Sequence, residues 1–158
     1  MSKKIKYPIF ACIIISAFLV LSIYKIKDYY NDIEYIKGNI ETALNYAYDN
    51  NIMSENDINQ ISDTVDTQVL VWLNPRYWSG NEDSFNKNNV IEDFEITNIK
   101  LLKYDVFKSK VKFRVNYIYQ QHDKTTNELL HYVNTNGNTL ISVSKKDSNW
   151  YISDFEPF

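Results

Sequence analysis

A run of 18 residues without a single charge, Tyr7 to Tyr24, constrains this chain more than any other feature of its sequence. As a helix rising 1.5 Å per residue it would span about 27 Å, close to the ~30 Å thickness of a bilayer's hydrocarbon core. No face of the run is polar, which sets it apart from the helix of a water-soluble core. Tyr7 and Tyr24 bracket it as interfacial aromatics do, and Pro8 falls in the first turn, where a missing N–H costs nothing. The expected anchor is therefore residues 7–24, with Tyr7, Pro8, Phe10, Ile14, Phe18, Leu21 and Tyr24 meeting lipid.

Two other uses of such a run fit less well. A cleaved leader needs a small-x-small site after the apolar stretch, whereas here Ser22-Ile23-Tyr24 leads straight into Lys25-Ile26-Lys27. Ile9-Phe10-Ala11-Cys12 has the look of a lipidation signal, but most of the hydrophobic stretch follows Cys12 instead of preceding it. Lys3, Lys4 and Lys6 precede the run, while Lys25 and Lys27 are diluted by Asp28, Asp32 and Glu34. The positive-inside rule then expects residues 1–6 as a short cytoplasmic tail and residues 25–158 as one extracytoplasmic domain at the cell membrane.

Composition narrows what that domain can be. All 20 acidic residues lie after Ile26, and removing the three early lysines from the 17 bases leaves 14, a net charge of −6. Such a balance excludes an ordinary nucleic-acid binder, which shows a basic face. One cysteine excludes a disulfide framework and any multi-cysteine metal site. Asn, Ile, Lys and Tyr dominate while Ala, Gly, Pro and Arg are scarce, as expected of an A/T-rich genome, low-GC Gram-positive bacteria foremost. Many surface Asn and Lys then reflect codon supply.

Periodicity gives the architecture. Ile33, Ile36, Ile40, Ala43, Leu44 and Ala47 recur at three or four residues, predicting an amphipathic helix from about Asp28 to Asp49, continuous with the anchor or separate from it. A second stripe, Ile58, Ile61, Val65, Val69 and Trp72, follows a weak cap at Ser54-x-x-Asp57 and stops at Asn74-Pro75. Residues 76–89 read as an ordered loop with Trp78 and Phe85 as its large apolar points. Beyond Val90 the period becomes two. Strands are expected at Phe94 to Leu102 with a bulge, Lys110 to Gln120, Leu129 to Val133, Leu140 to Ser144 and Trp150 to Phe155. Hairpins are expected at Asp105 to Lys108, at Asn136-Gly137 and across Lys146 to Asn149. Helices first and strands afterwards imply an α+β domain, its helices packed on an antiparallel sheet.

The element order, the alternating strand Lys110 to Gln120 and the closing Asn149-Trp150-Tyr151-Ile152-Ser153-Asp154-Phe155 resemble the NTF2-like superfamily of cystatin-type cone domains. The resemblance covers roughly Asp28 to Phe158 and implies a curved antiparallel sheet wrapped round helices. A short tail, one membrane helix and an outer cone domain are also similar to VirB8-like components of conjugation and secretion channels. This fold hosts isomerases, carriers and purely structural modules, so it names no activity.

No catalytic, cofactor or metal set assembles from the residues. His122 and His131 flank a polar turn with Asp123 and Glu128, but a zinc site needs three or four ligands, so both read as wet strand-end residues. Tyr104, Tyr117, Tyr119 and Tyr132, with Asp93 or Asp105, could furnish an isomerase-type pocket, the alternative of a small-ligand-binding cone domain. With 13 tyrosines some such meeting is expected by chance. The favoured reading is a non-enzymatic domain for protein–protein assembly, with a protein partner or a second copy of the chain meeting Tyr29, Tyr30 and Tyr35. The plain alternative puts Tyr35 and Tyr46 over the sheet and Tyr29 and Tyr30 near lipid. Trp72, Trp78 and Trp150 read as core, and Gly38 as a tolerated helix glycine or a close-packing point.

Overall fold

The computed structural model describes the backbone of residues 6–48, 61–66, 69, 89–105 and 108–157, and the side chains of these except at 6–11, 89, 131–136 and 157. The chain divides into two compact units, residues 1–35 and 36–158. Among the described residues the named elements are the helix α1 (Lys6–Tyr48) and then four strands, β1 (Asn89–Asp105), β2 (Lys110–Asp123), β3 (Leu129–Lys146) and β4 (Asn149–Pro157). The fold is α+β, as expected.

The charge-free run and the amphipathic stripe form one helix, because no proline or glycine pair interrupts the chain between Pro8 and Tyr48. Along that helix, burial follows the stripe: Ile33, Ile36, Ile40, Ala43, Leu44 and Ala47 are all buried. Gly38 lies on the exposed side, and a Cβ there would meet nothing within 4 Å, so it is a tolerated glycine and not a packing point.

In the second unit the four strands pair antiparallel in chain order. Buried and outward residues alternate along β2, with Val111, Phe113, Val115, Tyr117, Tyr119 and Gln121 inward. Ile141 and Val143 of β3 and Trp150, Ile152 and Phe155 of β4 complete the apolar face. Tyr48, at the end of α1, meets this face against Tyr117 and Tyr119, with centroids 5.4 and 5.1 Å away. β1 slips against β2 at three places, which bears out the expected bulge and bends the strand. Strands β1 and β4 are opposite edges, about 14 Å apart in a flat sheet of four. Yet Tyr104 and Trp150 have ring centroids 6.0 Å apart, so the sheet curls at that end.

Two expectations fail, for one reason. Asn136-Gly137 is not a hairpin; β3 runs through it from Leu129 to Lys146. Strand β2 needs a partner along its whole length. The register therefore absorbs 134–136 as an irregularity, Tyr117 pairing with Gly137 and Tyr119 with Val133. Likewise the second stripe is helical and buried at Ile61 and Val69, but Val65 between them is not helical. The chain turns at 62–64, with the Thr64 hydroxyl donating to the Ile61 carbonyl at 2.9 Å. Val65 then forms a parallel bridge with Ile152. The Ile152 N–H donates to the Thr64 carbonyl at 2.8 Å and the Asp66 N–H to that of Ile152 at 3.2 Å, covering β4's outer edge there. Ile58, Trp72, Trp78, Phe85 and the cap at Ser54 lie outside the described residues.

Three short connections position the strands. Asp105 Oδ1 accepts the Lys108 N–H at 3.1 Å, where the first hairpin is expected. Asp123 Oδ1 accepts the N–H groups of Thr125 (2.7 Å) and Thr126 (2.9 Å), closing the β2–β3 turn. Asp147 and Ser148 link β3 to β4 with φ of 48° and 73°, the double left-handed geometry of a type I′ turn.

Candidate functional site

The first unit presents apolar surface in an unusual place. From Ile13 to Ile26 the large hydrophobic side chains, among them Ile14, Phe18, Leu21 and Tyr24, leave between 41% and 67% of their surface exposed. At 100° per residue these positions cover the whole helix circumference. A single-sided stripe would mark one protein contact, but an all-round exposed apolar collar does not. The polar Ser22 within it is satisfied internally, its hydroxyl donating to the Phe18 carbonyl at 2.7 Å. Among the described residues no helix is long and apolar enough to cross a membrane. The expected run begins at Tyr7, and the side chains of Tyr7, Pro8 and Phe10 lie outside the described residues.

Beyond the collar, Tyr30 and Tyr35 are more than half exposed and Tyr29 is half-buried, its ring edge-on to Tyr30 at 5.5 Å. Within the second unit it is Tyr48 that packs on the sheet, against Tyr117 and Tyr119.

In the second unit the inward face of β2 changes character along its length. Val111, Phe113 and Val115 give way to Tyr117, Tyr119 and Gln121, and Tyr48 stacks on Phe94 at 4.2 Å above them. Burial holds these phenols neutral. Tyr119 is pushed up to about 12 by desolvation and then by Tyr117. Tyr48 is driven far above the ordinary tyrosine value by desolvation, and its hydroxyl faces the Tyr117 oxygen as donor. Tyr117 is also raised by burial, less so because it accepts from Tyr48. The Gln121 amide nitrogen is buried without a hydrogen-bond partner. Together these groups can donate hydrogen bonds to a neutral acceptor, but no general base stands among them.

The other candidates disperse. His131 pairs with Gln121 and His122 with Leu129, so the histidines do not face each other across the hairpin. His122 is part-buried, not wet: Nε2 sits 3.4 Å from Gln120 Oε1 and 3.9 Å from Glu92 Oε2. The Asp93 carboxylate accepts from Gln120 Nε2 at 2.9 Å, on the opposite β2 face from Tyr117 and Tyr119. Asp105 is spent on its own turn. Among the described residues no group of three or more His, Cys, Asp or Glu could hold a metal ion. Side chains of His131 and Tyr132 lie outside the described residues. Trp150 is core, with Lys145 Nζ 5.3 Å from its ring.

The sequence reading counted Tyr48 with Tyr46 in the tyrosine-rich stretch that holds Tyr29, Tyr30 and Tyr35, but placed neither it nor Gln121 on the inner face of the sheet. Both were within reach of the patterns it used, Tyr48 at four residues from Leu44 and Gln121 as the next inward position after Tyr119. Compared with known protein families, curated proteins and solved structures, the chain matches none of them.

Proposed function

We propose that this chain is a non-enzymatic, membrane-anchored extracytoplasmic domain that acts in protein–protein assembly. The observation that carries the proposal is the apolar collar from Ile13 to Ile26, exposed on every side of a helix whose later turns are buried on one side only. Water disfavours such a surface by about 25 cal/mol per Å², and a bilayer removes that cost without requiring a matched protein groove. The early lysines favour a cytoplasmic N-terminus. The half-exposed Tyr30 and Tyr35 then lie just beyond the membrane face, suited to a protein partner. A curled antiparallel sheet covered by a helix end is in keeping with an NTF2-like domain, and tail, anchor and outer domain with a VirB8-like channel component.

A second reading has one observation in its favour. The unpartnered Gln121 amide beside the neutral Tyr117 and Tyr119 would suit a small ligand carrying a hydrogen-bond acceptor. It ranks second because the same ring cluster closes on itself through Tyr48 and Phe94.

Alkaline carbonate washing of membranes tests the anchor. The native chain should stay in the pellet, while Ile15→Arg with Leu19→Arg, each costing about 2.5–3.5 kcal/mol at a helix centre, should release it. Equal retention of both chains contradicts the proposal.

A further inference from the structure

The outward face of the β1–β2 hairpin holds a cation arrangement that the sheet itself disfavours. Lys100 sits directly opposite Arg114, and Lys103 directly opposite Lys112. Like charges facing each other across an antiparallel pair repel and destabilise it. Lys112 is relieved by Glu156 of β4 at 3.1 Å, and Lys110 stands opposite Asp105. Lys100, Lys103 and Arg114 are exposed, and none has an ion pair among the described residues. Codon supply accounts for many lysines in this chain, but not for the rare arginine placed against one of them; the sequence contains only Arg76 and Arg114.

We infer that this face docks an extended acidic segment of a partner protein. The reading deepens the assembly role proposed above and rests on it. Residues two apart on a strand repeat at about 6.8 Å, so Lys103, level with Lys112, and Arg114 match the carboxylates of an extended peptide acidic at alternate positions. Arg114 offers a planar fork for one carboxylate, and Lys100 beside it a point charge. Asn98, opposite Asn116, and Ser142, opposite Lys112, add hydrogen-bonding groups beside the cations, and Leu140, opposite Arg114, adds an apolar one. The net charge of −6 beyond the anchor opposes approach to a continuous anionic surface, whereas a short acidic segment meets only the local patch, within a Debye length of about 8 Å.

The test uses the full chain in neutral detergent micelles and a labelled peptide of alternating glutamate and serine. Binding should weaken about tenfold in Lys100→Gln with Arg114→Gln, and lose part of its salt dependence. Lys145→Gln with Lys146→Gln should leave binding unchanged. The first double variant should unfold no earlier than the native chain, since a repulsion has been removed. Absent binding, or equal weakening in both double variants, overturns the inference. So does protection of Lys100 and Lys103 from an amine-reactive label in phosphatidylglycerol nanodiscs but not by the peptide, which makes lipid the occupant. Co-extraction of the native chain with other membrane proteins, measured in parallel, reads the assembly role by itself: if co-extraction persists while the peptide fails to bind, only the docking face is lost.

Discussion

Gly38 is the simplest residue to interpret physically. It sits mid-helix with open space where a side chain would be, and its carbonyl accepts the Thr42 hydroxyl at 2.8 Å. Glycine in a helix interior costs about 0.5–1 kcal/mol relative to alanine, mostly through the freedom it gives the unfolded chain. Gly38→Ala should therefore stabilise the second unit by about that amount in urea unfolding; destabilisation would mean that the exposed face there is covered. The buried tyrosines make a second residue-scale prediction. Folding favours the protonated form of Tyr119, whose proton leaves at about 12 in place of 10.0. Its contribution to stability is complete below pH 10, declines as pH rises beyond that, and is gone once the folded value is passed. Tyr117 and Tyr48 act in the same direction. Phenolate absorbance and circular dichroism recorded together should show these rings ionising only as the fold loosens above pH 10. Early ionisation of every tyrosine with the fold intact would place the cluster in water.

Among elements, those with their own period were legible and those completed by a partner were not. The helix stripe Ile33 to Ala47 and the alternation Val111 to Tyr119 each repeat often enough to fix a face, and both are buried as expected. Asn136-Gly137 misled because a favourable turn pair has no knowledge of the neighbouring strand; β2 extends past it, and the glycine serves an irregularity instead. Val65 misled in the same way, since its place in a helical stripe counts for less than the open edge at Ile152. The candidate site followed the same division. An uninterrupted apolar run announces itself, whereas the Tyr48–Phe94 stack joins residues 46 positions apart that no local pattern connects. The β3–β4 turn yields an element-scale prediction. Asp147 and Ser148 both hold positive φ, which strains side chains with a Cβ. Replacing them with Asn-Gly should stabilise the chain by about 0.5–1 kcal/mol in thermal unfolding. Ser148→Pro, which cannot reach that φ, should cost more than the first change gains.

On the scale of the whole molecule, one helix carries two kinds of surface in turn. From Ile13 to Ile26 it exposes apolar side chains all round, and its last turns bury a single stripe and end in Tyr48 against the sheet. Net charge separates in the same sense, with lysines before Tyr7 and the acids after Ile26. Membrane insertion with the sheet outside, as proposed above, would give both segments a suitable solvent. The most direct measurement exploits the single cysteine. With Cys12→Ala removing it and Lys124→Cys placing a thiol in the exposed β2–β3 turn, intact spheroplasts are treated with a membrane-impermeant maleimide. Full labelling is expected before lysis, with the chain recovered in the membrane pellet. Labelling only after lysis, or recovery in the soluble fraction, would contradict the proposed anchor and its orientation.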